Sequence, residues 1–209
     1  MSDQDLTGAH AALRVAQDEP RRVKAAAERY RKWLHALAWP TLFLTVVMTD
    51  PSIRDPRLGA AVVVASYALV TAGTVGRLWC ALYVRGRKSK NLCQYGPYSM
   101  CRNPLYLSVM LSIIGVALAS ERAILMGVFP VLFGACYLAV ILSEERRMAV
   151  LFGGEYQAYR ARVPRIIPRP GLYRSEEAVV ADPENYVIGA AKSMGYLALL
   201  FLLLLVQRL

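Results

Sequence analysis

An all-α, polytopic membrane fold with about five transmembrane helices is predicted by three features of this sequence. The 209 residues are 56% hydrophobic, and the mean hydropathy of +0.34 exceeds that of ordinary soluble domains. Five apolar runs approach the roughly 20 residues that a bilayer span requires. Positive charge is concentrated in every second connection rather than spread evenly, as the positive-inside rule demands of a membrane protein.

The five expected spans are 33–49, 58–84, 104–119, 123–143 and 186–206. The last contains LALLFLLLLV and reads as a span without ambiguity. Residues 58–84 exceed the bilayer requirement and must tilt or project from it. The first run is short and carries Pro40, which removes a helical hydrogen bond. Between the first two runs DPSIRDP reads as a tight turn, and the turn around Ser120–Arg122 makes the third and fourth spans a helical hairpin. Residues 1–32 form a separate polar, basic segment before a single membrane domain over 33–209. Within that segment Arg21–Trp33 reads as a basic amphipathic helix at the membrane surface.

Net charge +10 raises the question of nucleic acid, which the distribution of the charge answers. Six Lys/Arg fall in 21–32, five in 85–102 and seven in 144–174, whereas only Arg54, Arg57, Arg122 and Arg208 fall at alternate ends. Basic clusters beside spans face the cytoplasm and anionic headgroups. The expected topology has a cytoplasmic amino terminus and the carboxyl terminus on the opposite side. The expected partners are the membrane and a lipid-like small molecule, with no nucleic acid. The cysteines at 80, 93, 101 and 136, with only His10 and His35, show no metal-ligand spacing, so no metal is expected.

Two polar segments, 85–106 and 144–170, carry the chemistry. In the first, GPYSMCRNPLY, Gly96-Pro97 sets a turn and Pro104 suits the first turn of the third span. Arg102 offers a planar fork for a carboxylate or phosphate. In the second, Glu144 and Glu145 follow a span directly, where the helix dipole disfavours anions. A continuing helix puts Glu145, Phe152, Tyr156 and Tyr159 on one face, with Gly153-Gly154 as a point of breakage. Two carboxylates there suit a bound cation such as a sulfonium or an α-amino group. Arg77, near the end of the second span, is a candidate for holding an acceptor headgroup, with snorkelling as the plain alternative.

GPYSMCRNPLYLS, then EERRM, then FGGEYQAYRARVPRIIP resemble the paired signatures of the isoprenylcysteine carboxyl methyltransferase and phospholipid methyltransferase superfamily. The resemblance covers residues 76–168, with both motifs in the expected order and separation. It implies an integral membrane enzyme that transfers a methyl group from S-adenosylmethionine, leaving S-adenosylhomocysteine, to a lipophilic carboxylate, amine or thiol at the cytoplasmic face. By motif position it implies a cytoplasmic cofactor pocket that includes Gly96, Pro97, Tyr98, Arg102, Asn103, Tyr106, Glu144, Glu145, Tyr156 and Tyr159. Arg165 joins Glu145 as a catalytic candidate and Arg77 in holding the acceptor. Two positions depart from the family pattern: Asn103 stands where many members have His, and Met148 where they have Leu. Asn hydrogen-bonds but takes no proton, so no base acts from position 103. An NADPH-dependent membrane reductase and a non-enzymatic membrane scaffold are the competing readings.

Overall fold

A computed structural model describes residues 29, 32–84, 91–175 and 183–206. The expected amphipathic helix over Arg21–Trp33 therefore lies almost wholly outside the described residues. Within them the chain is helical, with no strand. The elements are α1 (32–48), α2 (Pro56–Val84), the single-turn α3 (Pro97–Met100), α4 (Pro104–Ala119), α5 (Ala123–Arg162), a 3-10 turn at Pro170–Leu172, and α6 (Pro183–Val206).

Local chemistry accounts for the helix starts. Asp55 caps α2: its Oδ1 accepts from the backbone N–H of Arg57 at 2.8 Å and of Leu58 at 3.3 Å, ahead of Pro56 in the first turn. Three helices, or parts of them, are long and apolar enough to cross a membrane: Pro56–Tyr83, Ala123–Arg162 and Gly189–Val206. α4 has 16 residues, and α1 is comparably short. At a rise of about 1.5 Å per residue both span roughly 25 Å, a little less than the hydrocarbon core. They complete the bundle beside the longer helices.

α4 is the central element, packed against α2, α5 and α6. Its contact with α2 is made by small residues. A Cβ added at Gly73 would collide with Ser112 Oγ and come within 2.5 Å of the Ser108 carbonyl, and one at Gly115 would lie 2.9 Å from the Ser66 carbonyl. Such close backbone approach is how helices associate where lipid removes the hydrophobic incentive. The serine hydroxyls are satisfied within their own helices, Ser108 by the Pro104 carbonyl at 2.8 Å and Ser66 by the Val62 carbonyl at 2.7 Å. An apolar core that includes Leu42, Val70, Ile113, Phe133 and Leu200 ties α1, α2, α4, α5 and α6 together.

The α4–α5 turn is fastened to the end of α1. Buried Arg122 donates from Nη2 to the carbonyls of Val46 and Thr49, and from Nη1 to that of Ser120, each at 2.6 Å. It thereby satisfies carbonyls at the C-terminal end of α1 from a distant part of the chain. Ser52 N–H donates to the Glu121 carbonyl at 2.8 Å and closes the same end of the molecule. α5 extends beyond the membrane-length run to Arg162, and Gly153 (φ 47, ψ −122) kinks it. These torsions are non-helical, so two helical stretches meet there and the expected point of breakage falls at the glycine pair.

Candidate active site

At the end of the bundle away from Arg122, the two polar segments are laced together by backbone hydrogen bonds. Arg102 N–H donates to the Pro164 carbonyl at 2.8 Å and Asn103 N–H to that of Arg165 at 3.2 Å. Arg169 N–H donates to the Met100 carbonyl at 3.0 Å and Gly96 N–H to that of Arg174 at 2.8 Å. The chain after α5 therefore runs as a strap along residues 96–103. Ser99 Oγ ties the strap further, accepting from Arg174 N–H at 2.9 Å while donating to the Gly96 carbonyl at 2.6 Å. Gly96 (φ 58) sits against the ring of Tyr83 so closely that a Cβ there would lie within 2.6 Å of three ring carbons. Both its torsion and its contact require glycine.

Glu145 is the centre of the arrangement. It is buried, and its Oε1 accepts from Asn103 Nδ2 at 3.1 Å. Arg165 approaches with Nε 3.1 Å from Oε2 and Nη2 3.1 Å from Oε2. Arg102 Nη1 stands 3.5 Å from Oε1, near enough for ion pairing. Asn103 Nδ2 also reaches the Arg165 carbonyl at 3.1 Å. This explains an oddity at the start of α4, where Asn103 occupies the N-cap position but makes no side-chain cap. Its amide joins the site instead.

Arg102 is only partly satisfied. Its side chain is 8% exposed, and Nε and Nη1 have no hydrogen-bond partner. Buried donors without partners cost free energy unless something supplies an acceptor. One carboxylate faces two guanidiniums here, so the site carries an excess of positive charge suited to an anionic group.

Tyr156 and Tyr159 are buried with Val163 against Phe152 and Leu92, and Tyr159 donates to the Tyr98 carbonyl at 2.7 Å. Pro97 is buried in α3. Tyr106, one turn beyond Asn103, lies against Tyr137 with ring centroids 5.7 Å apart. Glu144 pairs with Arg147 along the helix at 3.3 Å. Arg77 is half-buried in α2 and makes no ion pair with a described residue. Burial pushes the Cys101 thiol, beside Arg102, up to about 11. Among the described residues no three His, Cys, Asp or Glu side chains converge in a form that could hold a metal ion.

Sequence reading missed two features. The first is a cavity of about 400 Å³ on the other side of Tyr159, walled by Val163, Tyr95, Leu172 and Arg174. Across its mouth Gln94 donates to Glu155 at 2.9 Å and accepts from Arg162 at 3.0 Å. The second is a contact of His35 with Tyr137 at 3.0 Å across 102 residues of sequence. Neither has a spacing signature; an ionisable residue inside an apolar run was the one available signal for the second.

A phospholipid methyltransferase family profile matches residues 58–155. The chain is 33% identical over 187 residues to the nickel-cobalt-cadmium resistance protein NccN of Alcaligenes xylosoxydans xylosoxydans, covering 90% of this chain and 87% of that protein. It is 40% identical over 130 residues to the cobalt-zinc-cadmium resistance protein CzcN of Cupriavidus metallidurans, covering 62% of this chain and 60% of that one. No solved structure matches.

Proposed function

This chain belongs to the phospholipid methyltransferase family, and we propose that it transfers a methyl group from S-adenosylmethionine to a lipophilic acceptor at the cytoplasmic membrane face. The observation that carries the reading is Arg102: two buried N–H donors without a hydrogen-bond partner, beside a carboxylate, where the two motifs meet. The residues fit the cofactor. Arg102 suits its carboxylate, Glu145 its α-ammonium or sulfonium, and the cavity beyond Tyr159 has the size and mixed lining that a nucleoside needs. When bound, the cofactor supplies an electrophilic methyl group with its own leaving group.

The chain's own contribution is then to bind, orient and dry the reactants. Asn103 fixes the Glu145 carboxylate through Nδ2 and takes no proton. The acceptor therefore brings its own nucleophile, as a carboxylate, a thiolate or a free amine. Arg165 is the more accessible of the two site arginines, 37% exposed against 8%, and suits an acceptor's anionic group. Glu145 is the group nearest to hand for a proton released by an ammonium acceptor. The names of the two relatives, both metal resistance proteins, support a reaction that serves cells under metal stress.

Thermal shift and isothermal titration of detergent-purified protein test this. S-adenosylmethionine and S-adenosylhomocysteine should each stabilise the wild type, by about 2.7 kcal/mol at 100 times the dissociation constant, and NADPH should not. Glu145→Ala should abolish the effect. Binding of NADPH alone would replace the reading with a reductase, and absence of any binding with a scaffold. A radiolabelled-methyl screen of lipid extracts then identifies the acceptor.

A further inference from the structure

α1 is held to the bundle at both ends by side chains, and the two fastenings differ in kind. Near residue 49 the buried guanidinium of Arg122 grips the carbonyls of Val46 in α1 and of Thr49 just beyond it, each at 2.6 Å, a charge-assisted contact. Near residue 35 a side-chain hydrogen bond joins His35 Nε2 to Tyr137 Oη at 3.0 Å. Trp39 Nε1–H donates to His35 Nδ1 at 3.1 Å, so the imidazole proton lies on Nε2 and His35 donates to Tyr137. Between the fastenings Pro40 has no N–H for the Ala36 carbonyl, which removes a rung midway along the helix. Thr41 Oγ1 bonds back to the Leu37 carbonyl at 2.8 Å, a pattern that bends helices.

What this half of α1 covers gives the arrangement its meaning. His35 and Trp39 lie on Phe133, with ring centroids 4.9 and 5.7 Å away. Tyr137, Ile141 and Glu145 are spaced four residues apart on α5 and all are buried, so they form one stripe. Tyr137 packs on Tyr106, one turn from Asn103 on α4. The α4–α5 seam thus runs from beneath His35 to the buried carboxylate, about 12 Å at 1.5 Å per residue.

We propose that residues 32–39 are a cover hinged at Pro40 and latched by His35–Tyr137, which swings aside to admit an acceptor with an apolar chain from the bilayer to the α4–α5 seam. The Arg122 end stays fixed and acts as the pivot's anchor. The proposal rests on the methyl-transfer reading for the identity of what enters, but not for the movement itself.

Trp39 reports the movement. With Trp33→Phe and Trp79→Phe it becomes the sole tryptophan, and the protein is reconstituted in vesicles of phosphatidylcholine brominated on its acyl chains. Tyr137→Phe in this background should raise bromine quenching of Trp39 at least twofold. His35→Leu, at a half-buried position, should do the same and serves if the tyrosine variant does not fold. Adding Pro40→Ala should return quenching toward the starting value. Equal or lower quenching in both latch variants overturns the latch, and quenching undiminished by Pro40→Ala overturns the hinge. S-adenosylhomocysteine binding, measured on the same samples, should be retained throughout. Its absence even with the latch intact would sink the methyl-transfer reading while the quenching still judges the cover.

Discussion

Adjacent glutamates in this chain have opposite surroundings. Glu145 holds two arginines and an asparagine in a buried site, whereas Glu144 pairs with Arg147 one turn away at a half-exposed position. Removing one member of a buried pair strands the other charge and costs about 3 kcal/mol or more. The 37% exposure of Arg165 discounts its share. Glu145→Ala should therefore lower the melting temperature by several degrees and abolish cofactor binding. Glu144→Ala should change stability by less than about 1 kcal/mol, which parallel thermal melts will check. The distinction was half legible: 3.6-residue periodicity put Glu145 on the face of Tyr156 and Tyr159, but nothing in the sequence told that Asn103 would leave its cap for it. Cys101 gives a prediction in pH. Its thiol is fully buried and raised to about 11 from an ordinary value near 9. The folded state thus holds the proton longer than the unfolded state, and this contribution is complete below pH 9 and fades as pH rises through 11. Melting temperature should fall across that window, and Cys101→Ala should flatten the fall.

At the scale of the element, the helices were readable because hydropathy and proline position act locally. Their contacts were less so. Gly73 and Gly127 look alike in sequence, yet a Cβ would clash with α4 at Gly73 and meet nothing within 4 Å at Gly127. Gly73→Ala should destabilise the bundle by roughly 1–3 kcal/mol, the usual cost of overpacking. Gly127→Ala should be neutral or stabilising by up to about 1 kcal/mol through helix propensity. Unfolding in a mixed-micelle denaturant series compares the two directly. Arg122 poses the same problem. In sequence it counts only as one of the few cations at the alternate ends, because the Val46 and Thr49 carbonyls it binds lie more than 70 positions away. Arg122→Met leaves them unpaired and should cost about 3 kcal/mol, with hydrogen bonds to charged groups worth about 1.5–3 kcal/mol each. Arg122→Lys should recover only part of it, since an ammonium lacks the planar fork that reaches two carbonyls together.

For the whole molecule, charge distribution and structure divide the chain in the same way. The Ser52–Glu121 and Arg122 contacts gather the connections around 50 and 120 at one end, and the strap bonds gather 91–103 and 163–174 at the other. Arg102 and the seven arginines in 144–174 thus belong to one end, and Arg54, Arg57 and Arg122 to the opposite one. The lacing itself had no signature in sequence, because backbone hydrogen bonds such as Arg102 to Pro164 are indifferent to side-chain type. By the positive-inside rule the site end is expected to face the cytoplasm. Ile167 is 80% exposed at that end, and Arg54 lies in the exposed turn at the other. A cysteine at position 167 should react with a membrane-impermeant maleimide in inside-out vesicles and stay unlabelled in right-side-out ones. One at position 54 should do the reverse, and native cysteines replaced by alanine give the background. Labelling of 167 from outside would put the pocket on the wrong side for a cofactor made in the cytoplasm, and the proposed reaction with it.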